Sequence, residues 1–143
     1  MNSILAQLVE VPSKQPLPLF DGHVPAGFPS PAADYVQKRI DLNERLVLNP
    51  AATFFVRASG DSMQGAGILD GAILIVDAAL NPRSGDIVVA LVDGQYTVKR
   101  LIKTMQGFEL HPDNRQMNYP VLKPSAELQI FGVVTAHIVE HKR

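Results

Sequence analysis

From residue 53 onward, the sequence consists of short apolar runs separated by turn-forming residues. The longest runs are Ile73–Val76 and Ile87–Val92, and the turns include Asp70-Gly71, Ser84-Gly85-Asp86 and Asp93-Gly94. An Asp-Gly pair between two apolar runs is a strong signal for a β-hairpin. The pattern predicts a compact, mostly antiparallel β-domain with strands at 53–58, 72–76, 86–92, 95–103, 107–111 and 128–139.

The first 31 residues have a different composition, with prolines at 12, 16, 18, 25, 29 and 31. Proline lacks the backbone donor that helices and central strands need, so residues 1–30 are expected to form an extended arm before a domain at 31–143. A turn is predicted at Asp21-Gly22. One short helix could begin with Ser30 as N-cap. A second could follow Asp41, where Asp41 and Glu44 have capping-box spacing, and end before Asn49-Pro50.

Composition excludes several classes of protein. None of the apolar runs approaches the ~18 residues of a membrane span, and no signal peptide is evident, so we expect a cytoplasmic protein without a membrane partner. The absence of cysteine excludes disulfides, a thiolate nucleophile and a zinc–thiolate site. A net charge of −1 gives no electrostatic signature of nucleic-acid binding, so direct sequence-specific DNA binding is not expected.

Ser62 is a candidate nucleophile. It lies in the segment 59–63, Ser-Gly-Asp-Ser-Met, and glycines follow at 65 and 67. A serine in such a segment is most often a simple turn residue, and the segment matches neither the G-x-S-x-G nor the G-D-S-G pattern. The glycines would nevertheless let backbone amides approach a reacting carbonyl. The amides of Ser62 and Met63 are therefore candidate oxyanion donors.

Lys99 is the base that could activate this serine. It lies in the predicted strand 95–103, and Thr97 and Leu101 share its face by the two-residue period of a strand. A strand lysine usually faces solvent, where it protects a sheet edge. Burial would instead lower its pKa from ~10.4 toward neutrality and make the amine a general base. If the two residues meet in space, the chain is a Ser–Lys hydrolase.

The four histidines provide a competing base. They occur at positions 23, 111, 137 and 141 without metal-ligand spacing, so no metal or other cofactor is expected. Composition alone leaves a Ser–His–Asp triad open, but no histidine is distinguished by its context.

Several segments together resemble the UmuD proteins, which act in SOS mutagenesis and are related to the C-terminal half of the LexA repressor. The similar segments are 59–63, 70–77, 85–88, 92–94, 96–99 and 131–134 in the β-domain, and Ala26–Val36 followed by Arg39–Asn43 in the arm. The resemblance covers nearly the whole chain after about residue 20. It implies a β-domain of the LexA/UmuD C-terminal type.

The resemblance also implies site residues, an activity and partners. Ser62 would be the nucleophile, Lys99 its general base and Ala26–Gly27 the bond that the chain cleaves in itself. Cleavage would be stimulated by the RecA filament on single-stranded DNA. The 27–143 product would form a homodimer and join the UmuC subunit in an error-prone translesion polymerase, with the β-clamp as a further candidate partner.

Three other interpretations share some of these features. A LexA-like repressor would need a DNA-binding domain that the short proline-rich arm cannot form. A signal peptidase would need a membrane anchor. A non-cleaving scaffold or regulatory subunit of a translesion polymerase is the main alternative. Its dyad would be vestigial, although such a site would have no reason to retain both catalytic residues and the Ala26–Gly27 bond.

Overall fold

The computed structural model describes residues 14–20, 24–27, 37–123 and 128–143. The chain divides into two compact units, Met1–Arg45 and Leu46–Arg143. The predicted domain boundary after residue 30, the turn at Asp21-Gly22 and the helix expected from Ser30 lie outside the described residues. No helix in the described ranges has the length and apolarity needed to cross a bilayer.

The described part of the first unit contains one antiparallel pair of strands. Strand β1 (Leu17–Phe20) pairs with β2 (Gln37–Ile40). This pair of strands was not predicted from the sequence, which placed strands only from residue 53 onward. Helix α1 (Leu42–Leu46) follows Asp41. The Asp41 carboxylate accepts the amides of Asn43 and Glu44 at 3.0 and 3.4 Å, which confirms its predicted capping role.

The second unit is built on a six-stranded antiparallel sheet with the order β3-β4-β8-β5-β6-β7. Short 3₁₀ turns occur at Pro50–Ala52 and Gln64–Ala66. The strands are β3 (Thr53–Arg57), β4 (Ile73–Asp77), β5 (Ile87–Val92), β6 (Gln95–Thr104), β7 (Gly107–His111) and β8 (Gln129–Ile138). Each of the six predicted strands is therefore present, with ends shifted by at most one residue, and the mostly β, antiparallel fold is confirmed.

The β5–β6 hairpin positions a long strand at the edge of a cleft. Asp93 and Gly94 join the strands with φ values of 49° and 81°, the backbone conformation of a tight hairpin turn. Strand β6 spans ten residues, but β7 pairs only with residues 100–104. Residues 95–99 therefore extend beyond β7, and this stretch carries Lys99.

Among the described residues, buried apolar side chains form two clusters. One contains Val88, Ala90, Leu101, Leu110 and Val133, and the other contains Ala58, Met63, Ile68, Ala72, Leu74, Val76 and Val89. Val88 and Val89 belong to different clusters because successive strand residues point to opposite faces. Met63 and Ile68 flank the 3₁₀ turn that follows Ser62. Burial of side chains of this size is worth about 1.5–3 kcal/mol each, so the core anchors the segment that carries the serine.

Candidate active site

Ser62 is held in a tight turn, the serine turn (residues 59–67). Gly60 and Gly67 both have a φ of 84°, a left-handed conformation that glycine adopts without strain. The amide of Gly60 donates to the Asp70 carboxylate at 2.8 Å. Met63 is 3% exposed, so its side chain holds the turn against the core while Ser62 stays partly exposed. The local sequence therefore presents a serine hydroxyl on a fixed backbone.

Lys99 reaches Ser62 from strand β6. Its Nζ atom donates to Ser62 Oγ at 3.0 Å, to Thr97 Oγ1 at 2.9 Å and to the Val98 carbonyl at 3.1 Å. Thr97 lies two residues before Lys99 and so projects on the same face of the strand. The structure thus brings together two side chains that are 37 residues apart in sequence.

Burial of the Lys99 amine lowers its pKa below the ordinary value of 10.5. Among the described residues that line the cleft around it, none carries a carboxylate, and Arg57 is the other charged side chain. No anion in the lining therefore offsets the loss of hydration. A neutral amine has two N–H groups and one lone pair, which match the acceptors of Thr97 and Val98 and the hydroxyl of Ser62. In that state, the Ser62 O–H would donate to Nζ.

The dyad opens into a cleft of about 260 Å³. Three parts of the second unit line this cleft. They are the end of β3, the serine turn that follows it, and residues Tyr96–Lys99 of β6. Side chains of Val56, Ile68 and Val89 contribute apolar surface. A cleft of this size and lining suits a short peptide with small side chains.

Two backbone amides are available beside Ser62 Oγ. The amides of Ser62 and Met63 donate no hydrogen bond to any residue in the described ranges. Donors without an intramolecular acceptor next to a nucleophile are what an oxyanion hole requires. The assignment of these amides to that role stays a prediction.

Comparison with known proteins shows the family of the chain. Residues 18–135 match the family model described as peptidase S24-like. The chain belongs to the peptidase S24-like family. The similar proteins include Protein SamA of Salmonella typhimurium, 51% identical over 92% of this chain and 94% of SamA, and Protein MucA of Escherichia coli, 40% identical over 87% of this chain and 86% of MucA. The family match and these relatives confirm the resemblance to the LexA/UmuD group.

The peptidase S24-like domain is also similar to a repressor. LexA repressor of Glaesserella parasuis is 37% identical over 85% of this chain, and the match covers 58% of the repressor. The aligned part covers 123 residues, so most of this chain corresponds to little more than half of the repressor.

The other predicted site residues of this peptidase S24-like chain lie in different places. Ala26 and Gly27 form an exposed bend in the first unit, and their role as the cleaved bond stays a prediction. None of the three described histidines lines the cleft: His111 contacts Glu109 and His137 contacts the Gly67 carbonyl. No cluster of metal-ligating side chains occurs in the described ranges.

The residues that hold Asp61 of the serine turn were not predicted from the sequence. The hydroxyl of Tyr119 donates to the Asp61 carboxylate, and Asn114 Nδ2 donates to the Asp61 carbonyl at 2.7 Å. The hydrogen bond to Asp61 is the main cause that raises the pKa of Tyr119. The only local signal was the turn composition Pro112-Asp113-Asn114, which does not indicate what the turn contacts.

Proposed function

We propose that the chain is a UmuD-like serine peptidase that cleaves itself between Ala26 and Gly27. Ser62 is the nucleophile and Lys99 is the general base. The observation that carries this proposal is the 3.0 Å hydrogen bond between Lys99 Nζ and Ser62 Oγ, in a cleft whose lining lacks a carboxylate. A lysine without a counter-ion is the kind of lysine that can work as a neutral base.

The reaction begins with proton transfer from Ser62 to the neutral amine of Lys99. Oγ attacks the Ala26 carbonyl carbon, and the negative charge on the carbonyl oxygen is stabilised by the amides of Ser62 and Met63. The tetrahedral intermediate collapses, the bond to the Gly27 nitrogen breaks, and Lys99 returns its proton to that amine. Lys99 then activates the water that hydrolyses the acyl-enzyme, which releases residues 1–26 and leaves 27–143.

The edges of the cleft suit an extended substrate. The amide and carbonyl of Leu101 bond toward the β5 side at 2.7 Å, so by alternation the polar backbone groups of Tyr96 and Val98 point away from β5. Because β7 pairs only with residues 100–104 of β6, it does not cover these backbone groups. An extended peptide could therefore pair with the cleft side of β6, as in recognition by strand addition.

The cleavage-site residues have the properties that such a substrate needs. Ala26 and Gly27 are exposed, and the side chain of Ala26 is small enough to suit a cleft of about 260 Å³. Gly27 has no side chain to hold the peptide away from Ser62. The bond could be cut in the site of its own chain or in that of a second copy.

The biological role rests on the resemblance to UmuD. The RecA filament on single-stranded DNA would favour the arm conformation in which Ala26–Gly27 occupies the cleft, without supplying a catalytic group. The 27–143 product would form a homodimer in the cytoplasm and join a UmuC-type subunit in an SOS-induced translesion polymerase. The β-clamp is a further candidate partner.

Intact mass spectrometry tests this function. The purified protein is incubated with RecA, single-stranded DNA and a non-hydrolysable ATP analogue, and separately at alkaline pH. We expect a product that begins at Gly27, and we expect Ser62→Ala and Lys99→Ala to abolish it. Lys103→Ala is the matched control, because Lys103 is an exposed lysine on the same strand.

The outcomes separate the two candidate functions. Cleavage that persists in Ser62→Ala or Lys99→Ala would refute the dyad. No cleavage under either condition, with the protein folded, would favour the non-cleaving scaffold of a translesion polymerase. Binding of the intact chain to a UmuC-type subunit would then be measured directly.

A further inference from the structure

A segment between β7 and β8 is hydrogen-bonded to the serine turn. In this clamp segment (residues 113–119), the Asp113 amide donates to the Ser62 carbonyl at 2.8 Å. The Asp113 carbonyl accepts the Gly65 amide at 2.6 Å. Both polar groups of one backbone residue are thus used to hold the nucleophile and the residue three positions later.

The approach of Asp113 requires the glycine at position 65. A Cβ atom at Gly65 would lie 2.8 Å from the Asp113 carbonyl oxygen, closer than real Cβ contacts allow. The φ of Gly65 is not in the left-handed region, so glycine is needed here for space and not for backbone conformation. The contact between the clamp segment and the serine turn is therefore tight and specific.

The side chain of Asp113 extends to strand β6, which carries the other residue of the dyad. Its Oδ2 atom lies 3.1 Å from Arg100 Nη2, and Arg100 directly follows Lys99 in β6. Arg100 Nη1 also donates to the Gly85 carbonyl at 2.7 Å, which fixes the guanidinium group between two partners. Asp113 thus contacts Ser62 through its backbone and the neighbour of Lys99 through its carboxylate.

We propose that Asp113 is a positioning residue that sets the distance between Ser62 Oγ and Lys99 Nζ. Its consequence for cleavage rests on the proposed function, whereas its effect on the geometry of the pair does not. Proton transfer needs hydrogen-bond distance, and a misplacement of about 1 Å can cost about 100-fold in rate. Because Asp113 is bonded both to the serine turn and to β6, it holds the two segments that carry the dyad at a fixed separation.

The test compares Asp113→Ala, Arg100→Gln and the double variant with the parent chain. Self-cleavage rates are followed by intact mass. The titration of Lys99 is followed by NMR of ε-carbon-labelled lysine, with the Lys99 signal assigned by its loss in Lys99→Arg. Glu109→Ala is the matched control, because it removes a carboxylate that pairs with Lys123 at 3.2 Å and with His111 at 3.0 Å, and Glu109 does not contact the serine turn.

We expect each single variant to lower the cleavage rate by about tenfold or more. The double variant should be no slower than the slower single variant, because both break the same contact. The Lys99 pKa should move toward its ordinary value in each of these variants, since a displaced serine turn admits water to the amine. Glu109→Ala should leave both the rate and the titration of Lys99 unchanged.

Two results would overturn the proposal. One is a Lys99 titration and a cleavage rate in Asp113→Ala that match the parent chain. The other is an equal change in Glu109→Ala, which would indicate general loosening of the domain. If Asp113→Ala does not fold, Arg100→Gln supplies the same measurement from the β6 side. If the parent does not cleave itself, the NMR titration alone decides the positioning role while the proposed function fails.

Discussion

The hydroxyl of Thr97 lies 2.9 Å from the side-chain nitrogen of Lys99, two residues along the same strand. With the Val98 carbonyl, it gives the amine two acceptors that belong to β6 itself. The orientation of the amine toward Ser62 is therefore determined largely by one strand. This arrangement gives Thr97 a specific role. Its hydroxyl oxygen can accept a hydrogen bond from the Lys99 amine in both protonation states, and so it orients the amine in both.

Replacement of Thr97 by valine tests that role. Valine keeps the shape of threonine and removes the acceptor, so the amine loses one of its orienting bonds. We expect the plateau rate of self-cleavage to fall by about tenfold. The pH midpoint of the rate should move lower, because an acceptor stabilises the charged amine more than the neutral one. An unchanged rate and midpoint would show that the Val98 carbonyl alone orients the amine.

The rate of self-cleavage should depend on pH through Lys99. Burial lowers the pKa of this amine below 10.5, and only the neutral form accepts the serine proton. The rate without RecA should therefore rise with pH and level off above the folded pKa, with a slope of one at the acid end. The measurement is the rate by intact mass between pH 6 and about 11. A rate that is flat over this range would exclude lysine as the base.

The same pKa predicts how Lys99 affects stability. Between its folded pKa and 10.5, the unfolded chain binds a proton that the folded chain does not, so the free energy of unfolding increases with pH in this window. The slope cannot exceed about 1.4 kcal/mol per pH unit for one proton. Below the folded pKa, Lys99 is charged in both states, and the cost of burying that charge lowers the free energy of unfolding by its full amount.

Lys99→Met isolates this contribution, because it removes the titrating amine at similar volume. The free energy of unfolding of the wild type relative to Lys99→Met should increase as the pH rises toward 10.5. Urea unfolding of freshly purified full-length chains at several pH values measures the difference. A difference that stays constant with pH would contradict the lowered pKa.

Gly132 in β8 lies against the neighbouring strand β4. A Cβ atom there would be 2.7 Å from Val76 Cγ1 and 3.1 Å from the Asp77 carbonyl. Gly132→Ala should therefore destabilise the β-domain by about 1–3 kcal/mol through overpacking, and lower the urea midpoint by about 1 M. Gly27→Ala is the control, because its Cβ would meet no atom within 4 Å. Equal midpoints for the two variants would show that the sheet adjusts without cost.

Much of the fold follows from local sequence. The six strands of the second unit were predicted because short apolar runs and Asp-Gly turns are local features, and the Asp93-Gly94 hairpin needs no distant contact. The β1–β2 pair was not predicted, because its two strands lie in a proline-rich segment and a polar one. The capping role of Asp41 was predicted for the same reason. The order of the strands was not predicted, since β8 lies between β4 and β5 through contacts between residues far apart in sequence.

The same division applies to the candidate site. The sequence by itself made Ser62 and Lys99 candidates, because a serine among glycines and a lysine in an apolar strand are visible locally, and the resemblance to UmuD implied their roles. Only the tertiary structure decided that Nζ and Oγ lie 3.0 Å apart, that the amine is partly buried, and that Asp113 contacts the serine turn. These distances and the burial of the amine depend on contacts between residues 37 to 58 positions apart, which no local stretch of sequence contains.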